Sequence, residues 1–356
     1  MSVSDYAYLN AKIHGKKSKF LSAKDYERLY NASSAEEMYR LISTASIASD
    51  ELSNVLLSNA GFSARDIDQI LIKDFQNRIG LMSRQLPQYT QTFIREYEKR
   101  YFLEALKILI KAKHFNMSED EVEQLVVLPS KKYRLMFDQL LKLQTVNNIA
   151  EQVPVREYKV ALQEALSDYE QQQDPLVLEL ALYSAYFKKL WSSSYTLKLS
   201  DKASVFGIIG TEVDLINVLA IIRAKKLGIE PDFIGKWLIK KTHKLPQHAI
   251  EAMKNVGSIN QIEPILRSVS VYKELSQQVS SIFESSEISI EAIERKFKEH
   301  LVHKSIQMIS ANPFQLGIFF GYLNLAQTEF TNIRAIIIGK MANLSGDDIK
   351  DSILYF

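Results

Sequence analysis

Asp214-Leu-Ile-Asn-Val-Leu-Ala-Ile-Ile-Arg-Ala-Lys225 lies over Glu329-Phe-Thr-Asn-Ile-Arg-Ala-Ile-Ile-Ile-Gly-Lys340 without a gap, 115 positions apart. Asp214/Glu329, Leu215/Phe330, Asn217/Asn332, Ala220/Ala335 and Lys225/Lys340 coincide, and Arg223 and Arg334 add a cation to each stretch. A third stretch, Tyr101-Phe-Leu-Glu-Ala-Leu-Lys-Ile-Leu-Ile-Lys-Ala-Lys113, fits the first at an offset of 112; it keeps the apolar positions and the closing lysine but lacks the acid and the asparagine. In each stretch the apolar stripe runs i, i+3, i+7, as Leu103/Leu106/Ile110, Leu215/Val218/Ile222 and Phe330/Ile333/Ile337. That is the period of a helix burying one face, the same way three times.

Signatures ending near residues 115, 228 and 345 divide the chain into helical repeats 1–115, 116–230 and 231–356. The period is longer than the 20 to 50 residues of solenoids, so it points to three homologous domains set around a common feature. Helical periodicity also covers 22–47, 67–82, 92–113, 131–147, 155–170, 176–190, 215–227, 234–241, 259–283, 290–309 and 315–344, with Ser33 or Ser34 suited to cap a second helix in the first of these. Strand alternation is absent, and Gln171-Gln172-Gln173-Asp174-Pro175 reads as a break before a new helix. The fold class is all-α.

Composition agrees and narrows function by exclusion. Only 12 glycines and 8 prolines interrupt 356 residues. With no cysteine, thiol nucleophiles, CxxC pairs, iron–sulfur sites and thiolate zinc sites are excluded. Forty-four Lys and Arg against 42 Asp and Glu present no net field for nucleic acid or an acidic membrane. The start, Met-Ser-Val-Ser-Asp-Tyr6, lacks a signal-peptide core, and the richest apolar run, 314–326, falls short of a bilayer span, so direct membrane insertion is not expected.

No phosphate loop occurs, Gly207-Ile-Ile-Gly210 being too sparse, and no serine stands in a GxSxG turn. Of six histidines, His300 and His303 have a spacing that suits a metal but no third ligand. Catalytic, cofactor and metal sites are therefore none. The pairs Asp214/Asn217 and Glu329/Asn332 read as structural polar contacts or a partner surface; Thr211 is suited to N-cap a helix with Asp214 at its third position, worth about 1 kcal/mol. Segment 223–254 is locally basic, a solvated face or a dock for an acidic partner. Lys107 and Arg334 occupy equivalent places where the second copy has Leu219.

The sequence resembles the C subunits of the archaeal and bacterial A/V-type ATPases, whose eukaryotic counterpart is the d subunit of the vacuolar ATPase. The resemblance rests on Tyr6-Ala-Tyr8-Leu-Asn-Ala-Lys12, Tyr26-Glu-Arg-Leu29, Glu36-Glu37, Leu41-Ile-Ser-Thr44, Asp214-Leu-Ile-Asn217 with Arg223-Ala-Lys225, Asn312-Pro-Phe-Gln-Leu-Gly317, Gly321-Tyr322, the block Glu329 to Lys340, and Gly346-Asp-Asp-Ile349 with Ile353-Leu354. It departs from the family pattern at Lys12, commonly arginine, and Ile333, commonly leucine.

The resemblance implies a funnel of three similar helical domains with pseudo-threefold symmetry, turning with the rotor of the complex. It implies as partners the D and F subunits of the central shaft and the membrane proteolipid c/K ring, with the stator's a/I subunit in the resting complex, and a peripheral place on the cytoplasmic membrane face. On that reading the chain transmits torque for coupled ATP hydrolysis or synthesis and H+ or Na+ transport, with no active site of its own. Lys113, Asp214, Asn217, Arg223, Lys225, Glu329, Asn332, Arg334 and Lys340 are the partner or structural candidates. A helical scaffold of another complex satisfies the periodicity equally; only the Glu329–Lys340 block discriminates against it.

Overall fold

A computed structural model describes residues 4–45, 64–128, 130–311 and 313–356, and among these every regular element is helical. The readings placed on Ile47, Pro129 and Asn312 lie outside the described residues. Two compact units form, one from Met1–Gln88, Leu199–Ile208 and Lys298–Phe356, the other from Tyr89–Lys198 and Ile209–Phe297.

The first unit is built on the helix Gly317–Met341. Its apolar residues run round the whole cylinder, and Phe319, Phe320, Tyr322, Phe330, Ile333, Ile336 and Ile337 are all buried. Such a helix needs cover on several sides. Helices Ser4–Lys17, Ala23–Asn31 and Ala64–Ser83 supply it. Phe75 stacks on Phe330 with ring centroids 5.0 Å apart, and Phe20 stacks on Tyr322 at 5.7 Å. Gly321 allows close approach of the helix Ile290–Ala311, since a Cβ there would stand 2.9 Å from the carbonyl oxygen of Ser305. Ser22 with Asp25 and Ser345 with Asp348 close capping boxes that start Ala23–Asn31 and Gly346–Lys350.

In the second unit the helix Gln91–His114 packs on Leu176–Ser193, which pairs with Arg156–Gln172. The turn between that last pair is the one read from Gln173 and Pro175: Gln173 adopts a left-handed φ of 52°, and Leu176 opens the next helix with its amide on the Asp174 carboxylate. Arg100 and Glu212 pair at 2.7 Å, as do Lys111 and Glu179 at 2.8 Å.

Several boundaries differ from the periodicity, among them two in the second unit. The run 259–283 is broken into Ile262–Ser268 and Lys273–Phe283 by a 3-10 turn at Ser270–Tyr272, and the run 131–147 stops at Leu141 because Thr145 caps a new helix, Val146–Gln152. An apolar stretch longer than 314–326 also exists. Leu199–Lys226 is long and apolar enough to span a bilayer, with a mean hydropathy of 2.0 over its richest window, but 78% of that window is buried inside the protein. It also carries Glu212 and Asp214, both bonded internally, so core packing accounts for its composition.

Seventeen tyrosines punctuate the helices. Burial is the leading cause that pushes the phenols of Tyr26, Tyr97, Tyr101, Tyr158, Tyr183, Tyr186 and Tyr272 well up, and it raises Tyr133 to about 12. Below the unfolded phenol range near pH 10 both states keep these protons. Above it the unfolded chain releases protons that the folded chain retains, so stability falls as pH rises through that range. A tyrosinate absorbance titration should show these phenols ionising together with unfolding, in one steep step; independent ionisation near pH 10 in folded protein would contradict their burial.

Candidate functional site

Leu199–Lys226 runs unbroken through Thr211, so Thr211 is a mid-helix residue and the N-cap expected there does not form. Asp214 instead faces a loop. Its carboxylate is fully buried and accepts the backbone amides of His243 at 2.7 Å, Lys244 at 2.7 Å and Leu245 at 2.9 Å, and the Tyr272 hydroxyl at 2.6 Å. Asn217, on the same face, reads one residue in both directions: its Nδ2 donates to the Ile239 carbonyl and its Oδ1 accepts the Ile239 amide, each at 2.9 Å. Together they explain why the helix expected over 234–241 ends at Trp237. The amide and carbonyl of Ile239 and the amides of residues 243–245 are taken by the signature helix and are not available for helical bonds.

Lys225 closes the arrangement. Its ammonium donates to the carbonyls of Lys254 and Val256, both at 2.7 Å, at the C-terminal end of the helix Gln247–Asn255. A cation there satisfies carbonyls that the helix leaves open. Burial draws the Lys225 ammonium below its ordinary value. Arg223 is paired with Glu294 at 2.7 Å.

The third signature helix repeats this local geometry with a different chain partner. Glu329 Oε1 accepts the amide of Leu21 at 2.8 Å, 308 residues away. Asn332 donates to the Leu354 carbonyl at 2.8 Å and accepts its amide at 3.0 Å. Asn217 to Ile239 and Asn332 to Leu354 are both separated by 22 residues, so the asparagine bonds are equivalent. In the second copy the loop from Ile239 to Leu245 is one continuous segment; in the third its two anchor points belong to opposite ends of the sequence. Arg334 is buried with its guanidinium 5.6 Å from the Phe330 ring. Lys340 is half-buried near Glu37, whose carboxyl is held below its usual range by the Ser33 amide and hydroxyl, with Arg40 and Lys340 contributing.

The first copy keeps the lysine and replaces the polar pair. Lys113 donates to the Leu141 carbonyl at 2.8 Å, as Lys225 does to its own helix end. Phe102 stands at the Asp214 position and stacks on Tyr133 at 5.5 Å and on Tyr158 at 6.4 Å. Lys107 is buried, which works against its charge, but Glu104 at 2.9 Å and the Tyr183 hydroxyl outweigh that and hold the ammonium well above its ordinary value.

Lys113, Asp214, Asn217, Lys225, Glu329 and Asn332 therefore act on backbone, whereas Arg223 and Arg334 meet side chains. Asp214 is saturated by four donors and is unsuited to be a nucleophile or a base, and no cluster of three or more metal-ligating side chains occurs among the described residues. Of the recipients, Leu354 lies in the C-terminal motif Ile353-Leu354, whereas Leu21, Ile239 and Leu245 do not stand out. A signal exists all the same: Leu21-Ser, Leu128-Pro and Leu245-Pro each precede a short helix, Ala23–Asn31, Lys131–Leu141 and Gln247–Asn255.

Residues 9–352 match the family described as ATP synthase (C/AC39) subunit. Among curated relatives, the A-type ATP synthase C subunit of Methanocaldococcus jannaschii is 25% identical over 361 aligned positions, covering 99% of this chain and 87% of the relative. The corresponding subunit of Methanosarcina mazei is 24% identical, with 99% and 93% covered, and that of Thermococcus kodakarensis 23%, with 98% and 89% covered. With a match running nearly from end to end, over the same helices whose polar residues pin their loops, the chain belongs to the ATP synthase (C/AC39) subunit family.

Proposed function

We propose that this protein is a subunit of an A/V-type ATP synthase, peripheral to the membrane complex and accessory to its catalysis. More specifically, it is the central-stalk piece that joins the D and F subunits of the shaft to the proteolipid ring and transmits torque for ATP hydrolysis or synthesis coupled to H+ or Na+ transport. The observation that carries this reading is the repeated pinning of backbone by the signature helices. Asp214, Asn217 and Lys225 fix one loop and one helix end; Glu329 and Asn332 fix another loop; Lys113 fixes a third helix end. Charged groups committed to holding backbone suit a part whose work is mechanical. The three repeats 1–115, 116–230 and 231–356, and their funnel arrangement about a pseudo-threefold axis, belong to the same proposal.

A pull-down of tagged full-length chain from solubilised membranes tests it. Recovery of shaft subunits, catalytic head subunits and proteolipid is expected. Recovery of an unrelated complex would favour the helical scaffold reading and end this one.

A further inference from the structure

The loop 240–244 of the second unit, Lys-Lys-Thr-His-Lys, is pinned from beneath at both ends and basic above. Asn217 fixes Ile239 and Asp214 fixes the amides of residues 243–245. Thr242 Oγ1 donates to the Leu245 carbonyl at 2.7 Å, and Lys240 Nζ to the Gly235 carbonyl at 2.5 Å. His243 packs so closely on Gly210 that a Cβ there would stand 2.6 Å from its ring. Leu238, Ile239 and Leu245 point inward and are buried, whereas Lys240, Lys241 and Lys244 are exposed. The nearby acids have partners: Asp168 bonds Lys236 and the Trp237 indole, and Glu251 bonds Lys254 and Gln247.

The three copies supply an internal control. Glu329 stands where Asp214 does, and the sequence before its recipient Leu21 is also basic, with Lys16, Lys17 and Lys19. In the first copy the acid is Phe102, and residues 123–127 before Leu128 are Glu-Gln-Leu-Val-Val, without a lysine. The buried carboxylate and the lysines come together in the second and third copies and are both absent from the first. A carboxylate needed only for stability has no reason to keep that company; one that holds a basic loop in a fixed shape does.

We propose that loop 240–244 is a docking surface for an acidic segment of a partner polypeptide, an inference that rests on the connector reading only for where the partner is sought. Ammonium groups on a stiff loop lose little freedom on binding, and carboxylates of a peptide match their spacing and charge. The flanking Leu238, Ile239 and Leu245 are buried and not offered to a bilayer, and the Trp191 ring, 5.7 Å from the Lys241 ammonium, is buried as well.

The test uses full-length protein and fluorescein-labelled deca-glutamate followed by anisotropy. The variant Lys240→Glu/Lys241→Glu/Lys244→Glu should weaken binding at least about tenfold, and the gentler Lys240→Gln/Lys241→Gln/Lys244→Gln should fall between it and the parent. The control Lys131→Glu/Lys132→Glu/Lys142→Glu, altering three exposed lysines of the helix Lys131–Leu141 and its C-cap, should bind as the parent does. Equal loss in loop and control variants would reduce the effect to net charge and overturn the site. Phosphatidylserine vesicles that capture the parent but release the loop variants would assign the loop to lipid and overturn it equally. If tagged loop variants recover shaft and ring subunits undiminished, the docking proposal fails while the connector reading stands.

Discussion

Asp214→Ala is expected to lower unfolding free energy by about 3–5 kcal/mol, a large share of the stability of a domain this size. The expectation follows from counting donors. The carboxylate is fully buried and receives three consecutive backbone amides and the Tyr272 hydroxyl; its removal strands these donors. Each stranded donor costs about 1–3 kcal/mol, discounted because the loop relaxes outward. Asn at the same position should be nearly as harmful: one amide oxygen still accepts His243, but the NH2 group then confronts the amides of Lys244 and Leu245, donor against donor. Chemical denaturation with an unchanged m-value, together with accelerated hydrogen exchange at His243, Lys244 and Leu245, would report this mechanism. A loss below about 1 kcal/mol for Asp214→Ala would show that the loop is held by something other than the carboxylate.

Removing residues 353–356 should destabilise the first unit by about 4–6 kcal/mol while sparing the second. Ile353 is fully buried, Leu354 makes both bonds to Asn332, Tyr355 meets the Tyr26 ring edge-on at 6.0 Å, and Phe356 meets Phe20 at 5.3 Å. Losing the aliphatic side chain alone costs about 2–5 kcal/mol, and the stranded Asn332 adds to it. Hydrogen exchange resolves the two units: amides of Ala23–Asn31 and Gly317–Met341 should lose protection while those of Arg156–Gln172 keep theirs. Uniform loss throughout the chain, or none, would contradict the assignment of these residues to one unit.

The helical class is legible in the sequence because burial on one helix face imposes a 3.6-residue period that neither propensity nor tertiary contact needs to modify. The signature helices follow from the same logic, since Leu215, Val218 and Ile222 and their counterparts carry both period and likeness. What periodicity misses is set by contacts distant in sequence. The segment after Trp237 has the pattern of a helix, and only the reach of Asn217 and Asp214 across 22 to 31 residues turns it into a loop. Asp214 reads as a capping residue only if a helix begins beside it; because Leu199–Lys226 is continuous, the buried acid needs a recipient elsewhere, and spacing alone does not name it. The basic character of 223–254 is visible in the sequence, but its fixed part, 240–244, emerges only with the amides that hold it.

The bond between Leu21 and Glu329 has a consequence on the ribosome. At translation rates of about 5–20 residues per second, the 308 residues between them take about 15–60 s to synthesise. Through that interval Ala23–Asn31 has its neighbour Ala35–Ala45 but neither Gly317–Met341 nor Gly346–Lys350 to pack on, while the second unit needs nothing beyond Phe297 to complete itself. The buried face of Ala23–Asn31 is thus a nascent-chain surface that must be shielded until Gly317–Met341 emerges, and the order of birth, second unit before first, is written into which residues the acid of the last signature helix grasps.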